Sequence, residues 1–271
     1  MKQHQIDPDH RILLISPHSD DLALSVGGCL LATNWWANVP KTAVTVFVDS
    51  IHAPYSKIIG QQAITMLRKQ EDRQFADECN LDLIQLPLGE AMTRGYSSVD
   101  SLFEYGDPRQ DPHYERTGQL LADIIASRPW SAVIAPLGIG KHIEHVMVRM
   151  LCQDLNIKPL LLYEDLPYAA DYDNDTLDFM GSFDGQLRLA IALDFTDLQV
   201  EKIRQLCIYA SQISEREINQ LTKYSKFRCI HKDLQLLRRA KGSQSLSHEV
   251  IWATPNDWKI YQQNLDLPRI W

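Results

Sequence analysis

Two short stretches hold the residues best suited to chemistry: Pro17-His18-Ser19-Asp20-Asp21 and His142-Ile143-Glu144-His145. In the first, an imidazole and two carboxylates fall within four residues. Crowded carboxylates cost free energy unless a cation or proton sits among them. A metal ion accounts for all three groups. The competing reading is a helix cap, which needs no metal. A cap occupies one aspartate and leaves the other, and His18, unexplained. His142 and His145 share a face if their helix has already begun, since residues three apart are neighbours there. A lone histidine is more often structural, but two that match a His and two Asp elsewhere shift that balance. Three protein ligands plus water is the arrangement of a catalytic zinc site. Spacing alone offers five candidates for three places: His18, Asp20, Asp21, His142 and His145. The two left over would be acid–base groups.

The flanking sequence predicts how these residues are held. The apolar run 12–15 reads as a buried strand that Pro17 stops, followed by a helical stripe of Leu24, Gly28 and Leu31. The turn between them carries His18, Asp20 and Asp21, at the sheet edge where α/β proteins build sites. Further strands are expected at 43–48, at 81–86 (closed by Pro87), at 132–135 and at 159–163. Helices are expected at 61–79, at 114–127 and from about 142 to 155. The second histidine pair follows the fourth strand, at the same edge as His18. Five strand–helix alternations imply a Rossmann-like, mostly parallel sheet with helices on both faces. The glycine-rich segment 88–112 reads as a long loop covering the cleft. After 170 the pattern changes: an acidic turn at 171–175, an antiparallel edge strand at 186–195, helical patterns at 196–213 and 215–240, a strand at 249–253 and a polar tail. We expect one domain over 1–271, with a catalytic core at 10–170 and a C-terminal α/β extension at 171–271 packed on it.

Composition narrows the function. With 27 basic and 35 acidic residues the net charge is −8, which argues against nucleic acid, whose partners need a basic face. The first ten residues are polar, no run is long enough to span a bilayer, and the five cysteines are scattered without a CxxC. The chain reads as cytoplasmic, and a homo-oligomer is compatible with it. Ser25-Val26-Gly27-Gly28 is not a dinucleotide-binding G-x-G-x-x-G.

Pro17-His18-Ser19-Asp20-Asp21, Gly27-Gly28 beyond it, and His142-Ile143-Glu144-His145 after the fourth strand together resemble the PIG-L/LmbE-like N-acetylglucosamine de-N-acetylases. Arg68-x-x-Glu71 also resembles a segment of that family, and the resemblance covers residues 10–165 in order. It implies a zinc-dependent hydrolase, with Fe2+ or another divalent ion as the alternative metal. By that analogy His18, Asp21 and His145 hold the metal, Asp20 is the general base, and His142 is the acid or oxyanion stabiliser. Glu144 falls where the family usually has an Asp supporting this His. The products would be acetate and an amino sugar. Ser19 stands in place of the usual Pro or Ala, Leu22 in place of a common acidic residue, and Cys79-Asn80 in place of a usual Leu-Gly. These departures bear on the substrate more than on the chemistry.

A two-His-one-carboxylate iron oxygenase also fits the text His18-x-Asp20 with a distant His. It leaves Asp21 unexplained, and that triad typically sits on a jelly roll. A metal-stabilised binding module is the non-enzymatic reading. For substrate, Arg68 could meet a hydroxyl or phosphate, although an exposed helical Arg is commoner. Tyr168, at the right sheet edge, suits a sugar ring. Trp35-Trp36 read as packing or interface residues. The expected partner is a small N-acetylated sugar or glycoconjugate, and acidic surroundings favour a neutral or cationic sugar over a phosphorylated one.

Overall fold

The computed structural model describes residues 11–32, 39–104, 106–171, 187–228 and 248–265. Expectations for residues 1–10, Trp35-Trp36, 172–175 and 229–240 lie outside them. Among the described residues, seven strands form one sheet: β1 Ile12–Ser16, β2 Lys41–Asp49, β3 Leu81–Gly89, β4 Ala132–Pro136, β5 Leu160–Tyr163, β6 Arg188–Asp194 and β7 His248–Ala253, in the order β3-β2-β1-β4-β5-β7-β6. The first five run parallel. β7 and β6 close one edge antiparallel, as the alternation at 186–195 predicts. The described α-helices are α1 Asp21–Leu31, α2 Gln61–Glu78, α3 Tyr114–Ala126, α4 Ile143–Asp154, the single turn α5 Tyr168–Asp171, α6 Gln199–Ile208, α7 Glu215–Arg228 and α8 Pro255–Asn264, beside short 3-10 turns at Ala91–Thr93, Asp100–Leu102, Pro108–Gln110, Ile139–Lys141 and Thr196–Leu198, with helices on both sides of the sheet.

This order explains where the site must be. From β1 the chain winds outward to β2 and β3, then returns to lay β4 on β1's other side. Ligands bind at such a switch point, outside the carboxyl ends of the two strands. The two motif stretches are the segments that leave β1 and β4. Both strands are wholly buried, as expected of parallel strands covered on both faces.

Gly27-Gly28 acquires a physical reason here. Lys202 of α6 and Glu249 of β7 reach into the middle of α1. The Lys202 ammonium donates to the carbonyls of Ala23 and Leu24, and it pairs with Glu249 at 2.5 Å. Glu249 accepts from the backbone N–H of Gly28 and Cys29 at 2.8 and 2.7 Å. A β-carbon on Gly28 would lie 2.7 Å from Phe195, and one on Gly27 would lie 2.6 Å from Gln205 Oε1. Only glycines let this pair grip the helix that carries Asp20 and Asp21.

Three expectations are corrected. β3 does not stop at Pro87 but runs to Gly89. It is the outermost strand beside β2, and a proline lacking its N–H is tolerated at an edge. The polar tail contains α8, because Thr254 accepts from the N–H of Asp257, Pro255 opens the first turn, and Tyr261 buries its ring. The third lies in α2, where exposure is the commoner expectation for Arg68. Arg68, Glu71 and Asp72 are buried, and each is paired, as burial of such groups requires. Arg68 meets Glu90, Glu71 accepts from Ser211 N and Oγ, and Asp72 accepts from Thr45 and Gln85.

Candidate active site

At the switch point, three side-chain atoms converge. His18 Nδ1 lies 3.3 Å from His145 Nε2, and Asp21 Oδ2 lies 3.4 Å from each of them. Four ligands arranged tetrahedrally with bonds of about 2.0–2.1 Å stand roughly 3.3–3.4 Å apart. The triangle therefore has the dimensions of one face of such a site. The backbone N–H of His18 donates to Asp21 Oδ2 at 2.7 Å, folding this carboxylate back over the turn. Asp20 occupies the N-cap position of α1 but makes no cap hydrogen bond. The helix-cap reading of this stretch fails.

Both imidazoles are held from behind. His18 Nε2 meets Glu144 Oε2 at 2.8 Å, and His145 Nδ1 meets Asp165 Oδ1 at 2.7 Å. A carboxylate on one ring nitrogen fixes the tautomer and turns the other nitrogen's lone pair outward, as second partners of metal-bound histidines do. Here both outward lone pairs face Asp21. Asp165 is itself fixed by the N–H groups of Gly138 and Ile139 at 2.6 and 2.8 Å. Glu144 accepts from Ala91 N and from Arg94 Nη1 at 3.0 and 2.6 Å, and Arg94 spans to Asp111 at 3.0 Å.

His142 completes the cluster. One ligand nitrogen from each of His18, His142 and His145 lies within 4.8 Å of the others, all three residues buried. His142 caps α4, its Nδ1 accepting from the N–H of Glu144 at 3.3 Å. That leaves Nε2 as the donor nitrogen. Tyr168 stacks on the ring at 6.0 Å and 21°, and Phe103, from the segment 88–112, meets its edge at 5.2 Å. Asp20 sits to the side, 3.7 Å from Arg68 Nη2. Arg68 Nη1 also donates to Ser50 Oγ at 2.7 Å and to Glu90. His18, Asp20, Asp21, Arg68, His142 and Tyr168 line one cavity of about 360 Å3.

The electrostatics match the geometry. Burial opposes the charged form of His18, yet Glu144 and Asp21 outweigh it and hold its pKa well above the usual value. Burial likewise opposes the charge on Asp21, but His145 and His18 pull it down to about 2. Glu144 falls to about 2 against its own burial, through His18 and Arg94. His142 is pushed well below its ordinary value by burial, then by the charges of His18 and His145. Asp20 is raised by burial, with Arg68 opposing and Asp21 adding to the rise. The cluster draws positive charge to the triangle, which a proton or a bound cation can supply.

All eight residues singled out from sequence meet at this edge, with some contacts other than expected. The carboxylate of Glu144 is on His18, whereas the resemblance implies His142. Asp20, the carboxylate of the oxygenase text, stands outside the triangle. Tyr163 is a core residue whose hydroxyl donates to Ile15 O at 3.2 Å. Sequence reasoning missed Arg94, Glu164 and Asp165. Asp165 is the partner of His145, and Glu164 accepts from Trp252 Nε1 at 2.9 Å. The position of Asp165 just past β5, at the same edge, was the available signal.

No family model matches the chain. It is 28% identical over 226 residues to 2'-N-acetylparomamine deacetylase of Streptomyces fradiae, covering 80% of this chain and 78% of that one. Among solved structures it is similar to a deacetylase of teicoplanin biosynthesis (TM-score 0.64, 19% identity, 91% of this chain and 99% of that chain). It is also similar to a 4-carboxy-2-hydroxymuconate hydratase of Pseudomonas putida (TM-score 0.61, 14% identity, 89% and 95%). These two likenesses are of fold, and a fold shared by a deacetylase and a hydratase does not choose between their reactions.

Proposed function

We propose that this chain, whose motifs and Streptomyces fradiae relative are of the PIG-L/LmbE deacetylase type, is a zinc-dependent hydrolase. Its reaction removes the acetyl group from a small N-acetylated amino sugar or glycoconjugate of natural-product biosynthesis. The observation that carries this reading is the triangle of His18 Nδ1, Asp21 Oδ2 and His145 Nε2, with both imidazoles oriented by carboxylates. These three atoms would hold the divalent ion, by their spacing and by the nitrogen–oxygen donor set zinc accepts. When bound, the ion lowers the pKa of water and polarises the acetamide carbonyl.

The remaining steps fall to the chain's own groups. Asp20, free of cap and triangle, takes the proton of the attacking water. His142 offers Nε2–H to the oxygen that gains charge, the role an oxyanion donor plays when fixed in advance. The proton held by Asp20 then passes to the leaving nitrogen, freeing acetate and an amine. Tyr168 and Phe103 supply aromatic faces for the pyranose ring, and Arg68 keeps Asp20 in place. We read the C-terminal extension as part of one domain with the core, a reading supported by its strands β6 and β7, which continue the core's sheet.

The test is acetate release from a panel of N-acetylated sugars by metal-loaded protein. Acetate from at least one sugar, stopped by chelation and restored by zinc, is expected. Oxygen consumption with iron, or hydration of an unsaturated acid without acetate, would point to another reaction on the same fold.

A further inference from the structure

The cleft has an outer wall that the reaction leaves unused, built by the C-terminal extension. Gln212 and Ile213 follow α6, Glu217 lies in the first turn of α7, and all three line the same cavity as His18 and Asp20. Gln212 is only 8% exposed. Its amide nitrogen is spent on His52 O and Ser211 Oγ, at 3.0 and 2.9 Å. Its carbonyl oxygen has no hydrogen-bond partner among the described residues. Glu217 takes both Ser214 N and Ser214 Oγ on one oxygen, Oε2, at 2.7 and 2.8 Å. Its Oε1 has no protein partner among the described residues either.

We infer that Glu217 and Gln212 form an ammonium subsite, so that the preferred substrate carries a second, protonated amine besides the acetamide that reacts. This rests on the deacetylase reading above and specifies its substrate class. Two free acceptor oxygens, one charged, suit a ligand that brings only donors, and an ammonium is such a group. The charge balance agrees. No lysine lines the cavity among the described residues, and the arginine that does, Arg68, is shared between Asp20 and Glu90. Arg94 behind the wall is likewise divided between Glu144 and Asp111. A phosphate or uronate would meet only arginines whose charge two carboxylates already neutralise, while the Glu217 carboxylate has no cation beside it among the described residues.

The experiment uses two disaccharides that share an N-acetylated reacting ring. The second ring carries an amine in one and a hydroxyl at the same carbon in the other, assayed where the amine is protonated. The expected result is about a tenfold higher kcat/KM for the amine, the scale of a charged hydrogen bond, expressed in KM. Raising the salt should shrink that ratio, because screening shortens the reach of Glu217. In Glu217→Gln the ratio should fall towards one. Glutamine keeps the capping bond from Ser214, so a change in ratio is not a folding effect. A ratio near one in the wild type, or an unchanged ratio in Glu217→Gln, would overturn the subsite and leave the deacetylase reading standing. No acetate from either probe, with other N-acetyl sugars also inert, would overturn both.

Discussion

The inner triangle and the outer wall of the cleft are built on opposite principles. Around His18, Asp21 and His145 every named polar atom away from the triangle is already engaged, by Glu144, Asp165, backbone N–H groups or Arg94. On the outer wall, Gln212 and Glu217 keep oxygens free, and Val99, at the mouth, is 59% exposed. Preorganised donors and ligands serve a step that is the same for every substrate. Open acceptors and exposed edge residues serve discrimination, where the substrate supplies the missing partner. Rigid strand ends carry the first set, and connecting segments carry the second.

That contrast can be broken at several depths. The largest effect should come from removing the metal: chelation should abolish acetate release while the sheet survives, since the fold's core lies elsewhere. Circular dichroism and acetate assays on the same sample check this, and unfolding on chelation would make the ion structural. A smaller effect is expected one layer out. Asp165→Asn keeps an acceptor for Gly138 and Ile139 but turns its amide NH2 towards His145 Nδ1, which loses the acceptor that fixes its tautomer. Metal affinity should fall about ten- to hundredfold, read by competition with a fluorescent chelator. The smallest effect belongs to the wall. Phe103→Ala should leave metal content intact and raise KM about two- to tenfold, the worth of one aromatic contact. Equal losses from Asp165→Asn and Phe103→Ala would erase the distinction between the two regions.

Much of this was legible in the sequence. The buried runs at 12–15 and 132–135 and the residues after them predicted which edge would carry the site, because strand–helix alternation leaves few topologies. What stayed hidden was direction. Nothing local says that Glu144 turns to His18, or that Asp165, twenty residues from His145, is its partner. Those contacts arise only when β5 is laid against β4. The burial of Arg68, for which exposure is the commoner expectation, and of Glu71 and Asp72 beside it could not be read locally, because their partners, Glu90, Ser211 and Thr45, come from other segments. The helix after Thr254 was missed although Thr254-Pro255 with Asp257 carries its own start signal.

The central claim is that neighbouring carboxylates have different tasks: Asp21 holds the ion, and Asp20 moves a proton. Metal content of Asp20→Asn and Asp21→Ala, measured beside acetate turnover, tests it most directly. Asp20→Asn should retain about the wild-type metal while its turnover falls roughly hundred- to ten-thousandfold, the usual loss of a general base. Asp21→Ala should lose metal and activity together. A metal-free Asp20→Asn beside a fully loaded Asp21→Ala would contradict the assignment, and full activity in both would place the chemistry elsewhere.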